Sequence, residues 1–67
     1  TDAMYTVEIA NKNDFEIKAF VRVGTEYCEF NEQPVQENEM KFLGEEVREL
    51  IYVIPAGRTR NIVLRRY

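Results

Sequence analysis

The sequence contains no histidine, no tryptophan, no serine and a single cysteine among its 67 residues. Without histidine, the Ser-His-Asp triad, the Cys-His pair and histidine-ligated metal sites are excluded. Structural zinc requires a full set of Cys or His ligands, and Cys28 alone could supply one. We therefore predict that the chain is not an enzyme and has no catalytic residues, no metal and no cofactor.

The lone cysteine also bears on the compartment. Cys28 cannot form an intrachain disulfide, and its neighbours Glu26 and Glu29 disfavour a reactive thiolate. We expect a small, buried side chain, with an intermolecular disulfide as the alternative. Because there is no disulfide framework and no signal peptide in residues 1–10, we predict a cytoplasmic protein. The longest uncharged run, residues 50–57, is too short to cross a bilayer, so no membrane partner is expected.

The length allows one domain, which we place over residues 1–67. A domain of this size buries only about 60% of the surface that its unfolded chain exposes, so its stability is marginal. Burial against another chain is one remedy for such small domains. The position of Met4 suggests that it is the native initiator and that Thr1 to Ala3 are left over from cloning.

The net charge of −3 conceals an asymmetry. Residues 1–49 contain all twelve acidic residues and five basic ones, whereas residues 50–67 contain four arginines and no acid. Such a basic segment could contact an acidic partner, nucleic acid or another copy of the chain. The alternative, which we favour, places a basic strand beside acidic strands of its own sheet, where opposite charges attract across the strands.

Apolar and polar residues alternate along most of the chain, as in half-buried strands. We predict strands at residues 5–10, 15–23, 25–30, 39–43, 48–54 and 59–66, with a loop at 31–38. The polar run 11–14 predicts a hairpin or a tight β-arc between the first two strands, and Gly24 ends the second. In the third strand, Tyr27 and Glu29 are expected on one face, with Cys28 and Phe30 on the other.

Residues 45–54 allow two interpretations. Val47, Leu50, Ile51 and Ile54 have the spacing of a helical stripe, whereas the β-branched and aromatic residues at 51–54 favour a strand. We favour a strand at 48–54. A single helical turn is expected near residues 45–50, and we place it at 45–47, before the strand. The fold class is therefore all-β, a small antiparallel sandwich or barrel of five to six strands.

The segments 7–11 and 15–17, with the later Pro55-Ala56-Gly57 turn and residues 62–64, are the basis of a resemblance. This strand–turn pattern resembles that of immunoglobulin-like accessory domains, in which such a turn often precedes the last strand. The likeness is generic, because the chain lacks the Cys…Trp…Cys signature of immunoglobulin domains. Any such sandwich would be truncated or completed by another chain.

These observations favour a protein-interaction or assembly module that associates with itself or with a larger protein through an edge strand and the C-terminal strand. Arginine and aromatic residues are enriched at protein interfaces. The predicted interface residues are Phe20, Arg22, Tyr52, Arg58, Arg60, Arg65, Arg66 and Tyr67. One alternative is a small nucleic-acid-binding barrel that uses the C-terminal arginines, although the acidic balance counts against it. The other is an enzyme subunit whose site is completed by a partner.

Overall fold

The computed structural model describes residues 3–66, which form six strands and no helix. The strands are β1 (Ala3–Ala10), β2 (Ile17–Gly24), β3 (Tyr27–Phe30), β4 (Gln36–Phe42), β5 (Glu45–Ile54) and β6 (Thr59–Arg66).

The six strands form two three-stranded antiparallel sheets that pack against each other. Sheet A has the order β1-β6-β3 and sheet B the order β2-β5-β4. The chain passes from one sheet to the other at every connection except the β4–β5 hairpin. The predicted all-β, antiparallel fold is therefore confirmed with six strands, and its two packed sheets are compatible with a small sandwich.

The core lies between the two central strands. Leu50, Tyr52 and Ile54 alternate along β5, Ile62 and Leu64 alternate along β6, and each is at most 1% exposed. The period of two places these residues on one face of each strand, so the two faces bury each other. The apolar residues of β2 that lie opposite the buried positions of β5 extend this core.

Residues 45–54 form one continuous strand, so the predicted helical turn near residues 45–50 is wrong. Glu45 pairs with Phe42 and Glu46 with Lys41, directly after the hairpin turn. Strand β5 is hydrogen-bonded to β2 on one side and to β4 on the other. These backbone bonds, across the hairpin to β4 and over a long range to β2, override the helical spacing.

Three smaller predictions also need correction. Phe15 precedes β2 and is largely exposed, although its place in the alternation predicted a core position. Strand β4 begins at Gln36, inside the predicted loop. A bulge in β3 shifts the register between Tyr27 and Glu29, so both Tyr27 and Phe30 pack against the core. A bulge reverses the alternation because it adds one residue to one strand.

The link between β1 and β2 is an arc between the sheets, not a hairpin. Asn11 anchors it and is almost fully buried. Its side-chain amide donates to the carbonyl oxygens of Phe15 (2.8 Å), Ile54 (3.0 Å) and Pro55 (3.1 Å). Its Oδ1 accepts from the backbone N–H of Asn13 at 3.0 Å. One side chain therefore joins the β1–β2 arc to the β5–β6 turn.

The immunoglobulin-like resemblance is limited to local pattern. The Pro55-Ala56-Gly57 turn does precede the last strand, and Gly57 has a φ of 68°, which glycine adopts without steric penalty. However, β1 and β2 lie in different sheets, whereas the first two strands of an immunoglobulin domain share one sheet.

The β4–β5 hairpin turns on two residues that both have positive φ. Leu43 has φ 53° and Gly44 has φ 83°, which is typical of a type I′ turn. Leucine is a poor choice there because the left-handed conformation costs about 1–2 kcal/mol for a residue with a Cβ. The Leu43 side chain is 88% exposed and gains little from packing.

Replacing Leu43 with asparagine is expected to raise the free energy of unfolding by about 0.5–1 kcal/mol, since Asn-Gly is the preferred type I′ pair. The urea midpoint of Leu43→Asn should therefore exceed that of the wild type with an unchanged slope. The control is Leu43→Ala, which removes the exposed side chain but keeps the cost of the left-handed backbone conformation. Equal urea midpoints for the two variants would contradict the turn assignment.

Two arginines, one from each sheet, form hydrogen bonds to the backbone of the other sheet. Arg60, on β6 of sheet A, donates through Nε to the carbonyl oxygen of Val53 in sheet B at 3.1 Å. Arg48, on β5 of sheet B, donates through Nη1 to the carbonyl oxygen of Tyr27 in sheet A at 3.2 Å. Each also forms an ion pair, Arg60 with Glu32 and Arg48 with Glu37. These contacts fix how the sheets lie against each other.

Candidate protein-interaction surface

Concave sites are shallow in the described part of the chain. One depression, of about 420 Å³, is open to solvent and is lined by Thr25, Glu37, Glu39 and Arg48. Its Arg48 is already engaged by Glu37. Small-molecule sites are usually enclosed and mainly apolar, unlike this depression.

Metal ligands and membrane-spanning helices are the next features to consider within residues 3–66. No group of three His, Cys, Asp or Glu side chains there is placed to hold a metal ion. None of the described segments is a helix that could cross a membrane. Cys28 lies half-buried at the β3 bulge, with its thiol 3.6 Å from the carbonyl oxygen of Glu26.

The structure separates the predicted aromatic interface residues. Phe20 is exposed on the outer face of sheet B, as its place among polar residues indicated. Tyr52 lies in the core, so in this fold it has almost no surface to offer a partner. Its hydroxyl donates to the carbonyl oxygen of Glu32 at 2.9 Å. Tyr67 lies outside the described residues.

The predicted arginines do not form one patch. Arg60 and Arg65 are engaged by acidic residues of the same chain, Arg60 by Glu32 and Arg65 by Glu29, where Nη1 and Oε2 are 3.7 Å apart. The Arg65–Glu29 pair joins neighbouring strands of sheet A, as the favoured interpretation of the charge asymmetry expected, whereas Glu32 lies in the connection after β3. Arg58 and Arg66 are exposed near opposite ends of β6. A scattered and partly paired set is a poor electrostatic footprint for nucleic acid.

Arg22 is also engaged within the chain. Its Nε and Nη2 both lie 3.1 Å from Oε2 of Glu49, and its guanidinium lies 4.9 Å from the centroid of the Phe42 ring. Arg22 thus links Phe42 to the part of sheet B that also carries Phe20. Together, Phe20, Arg22 and Phe42 form a mixed aromatic and cationic surface on the outer face of sheet B.

The Tyr52 hydroxyl provides a pH-dependent test of this packing. Burial, reinforced by the Glu32 carboxylate and opposed by Arg60, raises the pKa of Tyr52 above its ordinary value of 10.0. The folded state therefore holds this proton more tightly than the unfolded state does. The resulting stability is fully present below pH 10.0 and is lost as the pH rises through the folded-state pKa.

We expect Tyr52→Phe to lower the free energy of unfolding by about 1 kcal/mol at pH 7, because the hydrogen bond to the Glu32 carbonyl is lost. Above pH 10 the gap between the two proteins should narrow. Urea midpoints measured from pH 7 to pH 11 check this, with the exposed Tyr5→Phe as control. A gap that stays constant with pH would contradict the raised pKa.

Four strands form sheet edges, and three of them are protected against pairing with another chain. Strand β3 has four residues and a bulge. Strand β4 places the charged residues Glu37, Glu39 and Lys41 on its core-facing side, as their pairing with β5 shows. Strand β2 carries Lys18 and Arg22 on its outer face. Short strands, bulges and edge charges are known protections of sheet edges.

Strand β1 lacks these protections. It has eight residues, an unbroken register with β6, no proline and a single charge, Glu8. Its side chains Met4 and Tyr5 are 60% and 59% exposed. Tyr5 lies opposite the buried Leu64, so it is on the core-facing side and yet remains uncovered. Its ring centroid is 6.5 Å from that of Tyr27, which covers part of one side.

The register shows which backbone groups of β1 are free. The backbone N–H of Asn11 donates to the carbonyl oxygen of Arg58 at 2.8 Å. The backbone N–H and C=O groups of residue 11 are therefore directed toward the segment that leads into β6. Because hydrogen-bonding direction alternates along an antiparallel strand, the backbone N–H and C=O groups of Tyr5, Val7 and Ile9 are also directed toward β6. The N–H and C=O groups of Thr6 and Glu8 therefore face away from the sheet, at its open edge.

Sequence reasoning missed Met4, Tyr5 and Thr6 as candidate interface residues. Local pattern predicted the β1 strand but not its position at an edge, which depends on pairing with β6, whose partner residues lie 49 to 63 positions later. The low charge of residues 3–10 was the available signal. Comparison with protein families, with curated proteins and with solved structures found no match to this chain.

Proposed function

We propose that this chain is a non-enzymatic assembly module that self-associates by adding a strand to the free edge of β1. The observation that carries this proposal is the contrast between β1 and the three protected edges described above. A row of unpaired N–H and C=O groups is a template for pairing with another strand. The exposed Met4 and Tyr5 supply apolar surface beside that edge.

In this proposal the C-terminal strand β6 supports the interface and does not itself pair with the neighbouring molecule. Strand β6 is hydrogen-bonded to β1 and to β3, so its backbone is not an edge. Its role in the proposal is to hold β1 in register and to present Arg58 and Arg66 at the surface, where they can contact acidic groups of a neighbouring molecule. The backbone of β1 supplies the pairing.

We expect Thr6→Pro to abolish self-association while leaving the fold intact. Proline removes the outward N–H of residue 6, and it is tolerated where a strand's N–H faces solvent. Sedimentation velocity should show wild-type protein associating at micromolar concentration and Thr6→Pro as a monomer throughout. Thr6→Lys, which places a charge at the edge and retains the N–H, should also weaken association.

Two controls define the result. Thr6→Val keeps the N–H and the β-branched shape, so it should associate like the wild type. Val35→Ser removes an exposed apolar side chain beside β5 of sheet B, outside the β1 edge, and should leave association unchanged. A wild type that stays monomeric to hundreds of micromolar, or a Thr6→Pro variant that associates as well as the wild type, would refute the proposal.

A further inference from the structure

We propose that two copies of this chain pair β1 with β1 antiparallel, with Thr6 on the two-fold axis. This inference rests on the proposed function, because it specifies the partner and the register of the same edge. Identical subunits most often associate through a self-complementary, two-fold interface. Pairing of this kind would join the two A sheets into one six-stranded sheet.

The direction of the free backbone groups restricts the register. Met4, Thr6, Glu8 and Ala10 point their N–H and C=O groups to the open edge, by the same alternation that places Thr6 and Glu8 there. These positions must face each other across the axis. Axes through Thr6 or through Val7 pair seven residues of each β1, whereas axes through Tyr5 or Glu8 pair only five.

Charge distinguishes the two longer registers. With the axis at Val7, Glu8 lies opposite the partner's Thr6. The two Glu8 residues are then diagonal neighbours, with their Cα atoms about 7–8 Å apart. With the axis at Thr6, Glu8 lies opposite the partner's Met4, and the two Glu8 residues are about 13 Å apart along the strands. Like charges at the shorter distance repel each other, which favours the axis at Thr6.

The side chains agree with this register. Thr6 faces the partner's Thr6 on the outer face of the sheet, and Thr–Thr pairs across strands are favourable. On the core-facing side, Tyr5 lies opposite the partner's Val7. The pairing therefore brings an apolar side chain over the Tyr5 ring, which the chain's own fold leaves 59% exposed.

The register is tested by nuclear Overhauser effects between chains in a dimer mixed from isotope-labelled and unlabelled protein. In an antiparallel pair, the Hα atoms approach closely only at positions that do not exchange hydrogen bonds. We expect a contact between Hα of Tyr5 and Hα of the partner's Val7. A contact between the two Val7 residues, or between Tyr5 and the partner's Ile9, would overturn the register and leave the proposed function standing.

A charge exchange gives an independent readout. In the proposed register Met4→Lys places two Lys–Glu pairs across the interface, whereas Met4→Glu places two Glu–Glu pairs there. We expect the dimer dissociation constant of Met4→Glu to be about fivefold higher than that of Met4→Lys. The double variant Met4→Glu/Glu8→Lys, which forms Glu–Lys pairs again, should recover the lower dissociation constant. Equal dissociation constants for the two single variants, or no restoration, would overturn the register.

Unfolding temperatures accompany these measurements, because Met4 pairs with Arg65 within its own sheet. They separate an effect on the interface from one on the fold. If the wild type does not associate at all, both the proposed function and this inference are wrong.

Discussion

Replacing Asn11 with alanine is expected to lower the free energy of unfolding by about 3 kcal/mol. The side chain satisfies three carbonyl oxygens, those of Phe15, Ile54 and Pro55, and accepts the N–H of Asn13. Alanine removes these hydrogen bonds from a site where residue 11 is almost closed to water. The Pro55 oxygen keeps the N–H of Arg58 at 3.2 Å, but each buried group that is left unsatisfied costs about 1–3 kcal/mol. A domain of this length has roughly 3–10 kcal/mol of stability in total, so the variant should be close to unfolding.

Urea unfolding checks this prediction, with the adjacent exposed Lys12→Ala as control, for which we expect a change below about 0.5 kcal/mol. A loss for Asn11→Ala no larger than that of the control would show that the side chain does not hold the arc and the turn together.

Asn11→Asp makes the same test depend on pH. The Asn13 N–H can still be accepted, but an ionised carboxylate would face the three carbonyl oxygens that the amide bonded. This arrangement should raise the pKa of the introduced carboxyl above that of the unfolded state. Stability would then be highest below pH 4 and would fall as the pH rises through the folded-state pKa. A variant equally stable at pH 4 and pH 7 would contradict this account.

The second large effect is expected in the core. Ile54→Ala should lower the free energy of unfolding by about 2–5 kcal/mol, because Ile54 is fully buried and truncation leaves a cavity. Val53→Ala, one residue earlier on the opposite face and only half-buried, should cost less than about 1.5 kcal/mol. Urea midpoints of the two variants measure the difference. Similar losses would mean that the alternation along β5 does not divide core from surface.

Alternation was sufficient to predict the strands whose two faces differ. Strand β2 was predicted within two residues because apolar and polar side chains alternate from Ile17 to Val23. The extent of β5 was not predictable in the same way, since its central residues are apolar on both faces and fit a helical stripe as well. Its pairing with β2, more than twenty residues earlier in the chain, and with β4 across the hairpin decides in favour of the strand.

The candidate interface was less predictable than the fold. Phe20 was selected as a candidate interface residue because it interrupts a polar face, which is a local signal, and the structure leaves its side chain exposed. Tyr52 and Arg60 were assigned to a surface from composition. The structure instead buries Tyr52 and pairs Arg60 with Glu32, because β5 and β6 are central strands. The β1 edge had no strong local signal, since edge and central strands share the same alternation.

By itself, the sequence determined the strand-forming segments, the all-β class and the lack of histidine chemistry, since these depend on residue types and on local period. Only the tertiary structure decided which strands are central and which are edges, that Asn11 joins two connections, and that acidic residues of the same chain engage Arg60 and Arg65. The physical reason is that pairing and burial join residues far apart in the chain. The exposed edge of β1, on which the proposed assembly rests, results from that long-range pairing.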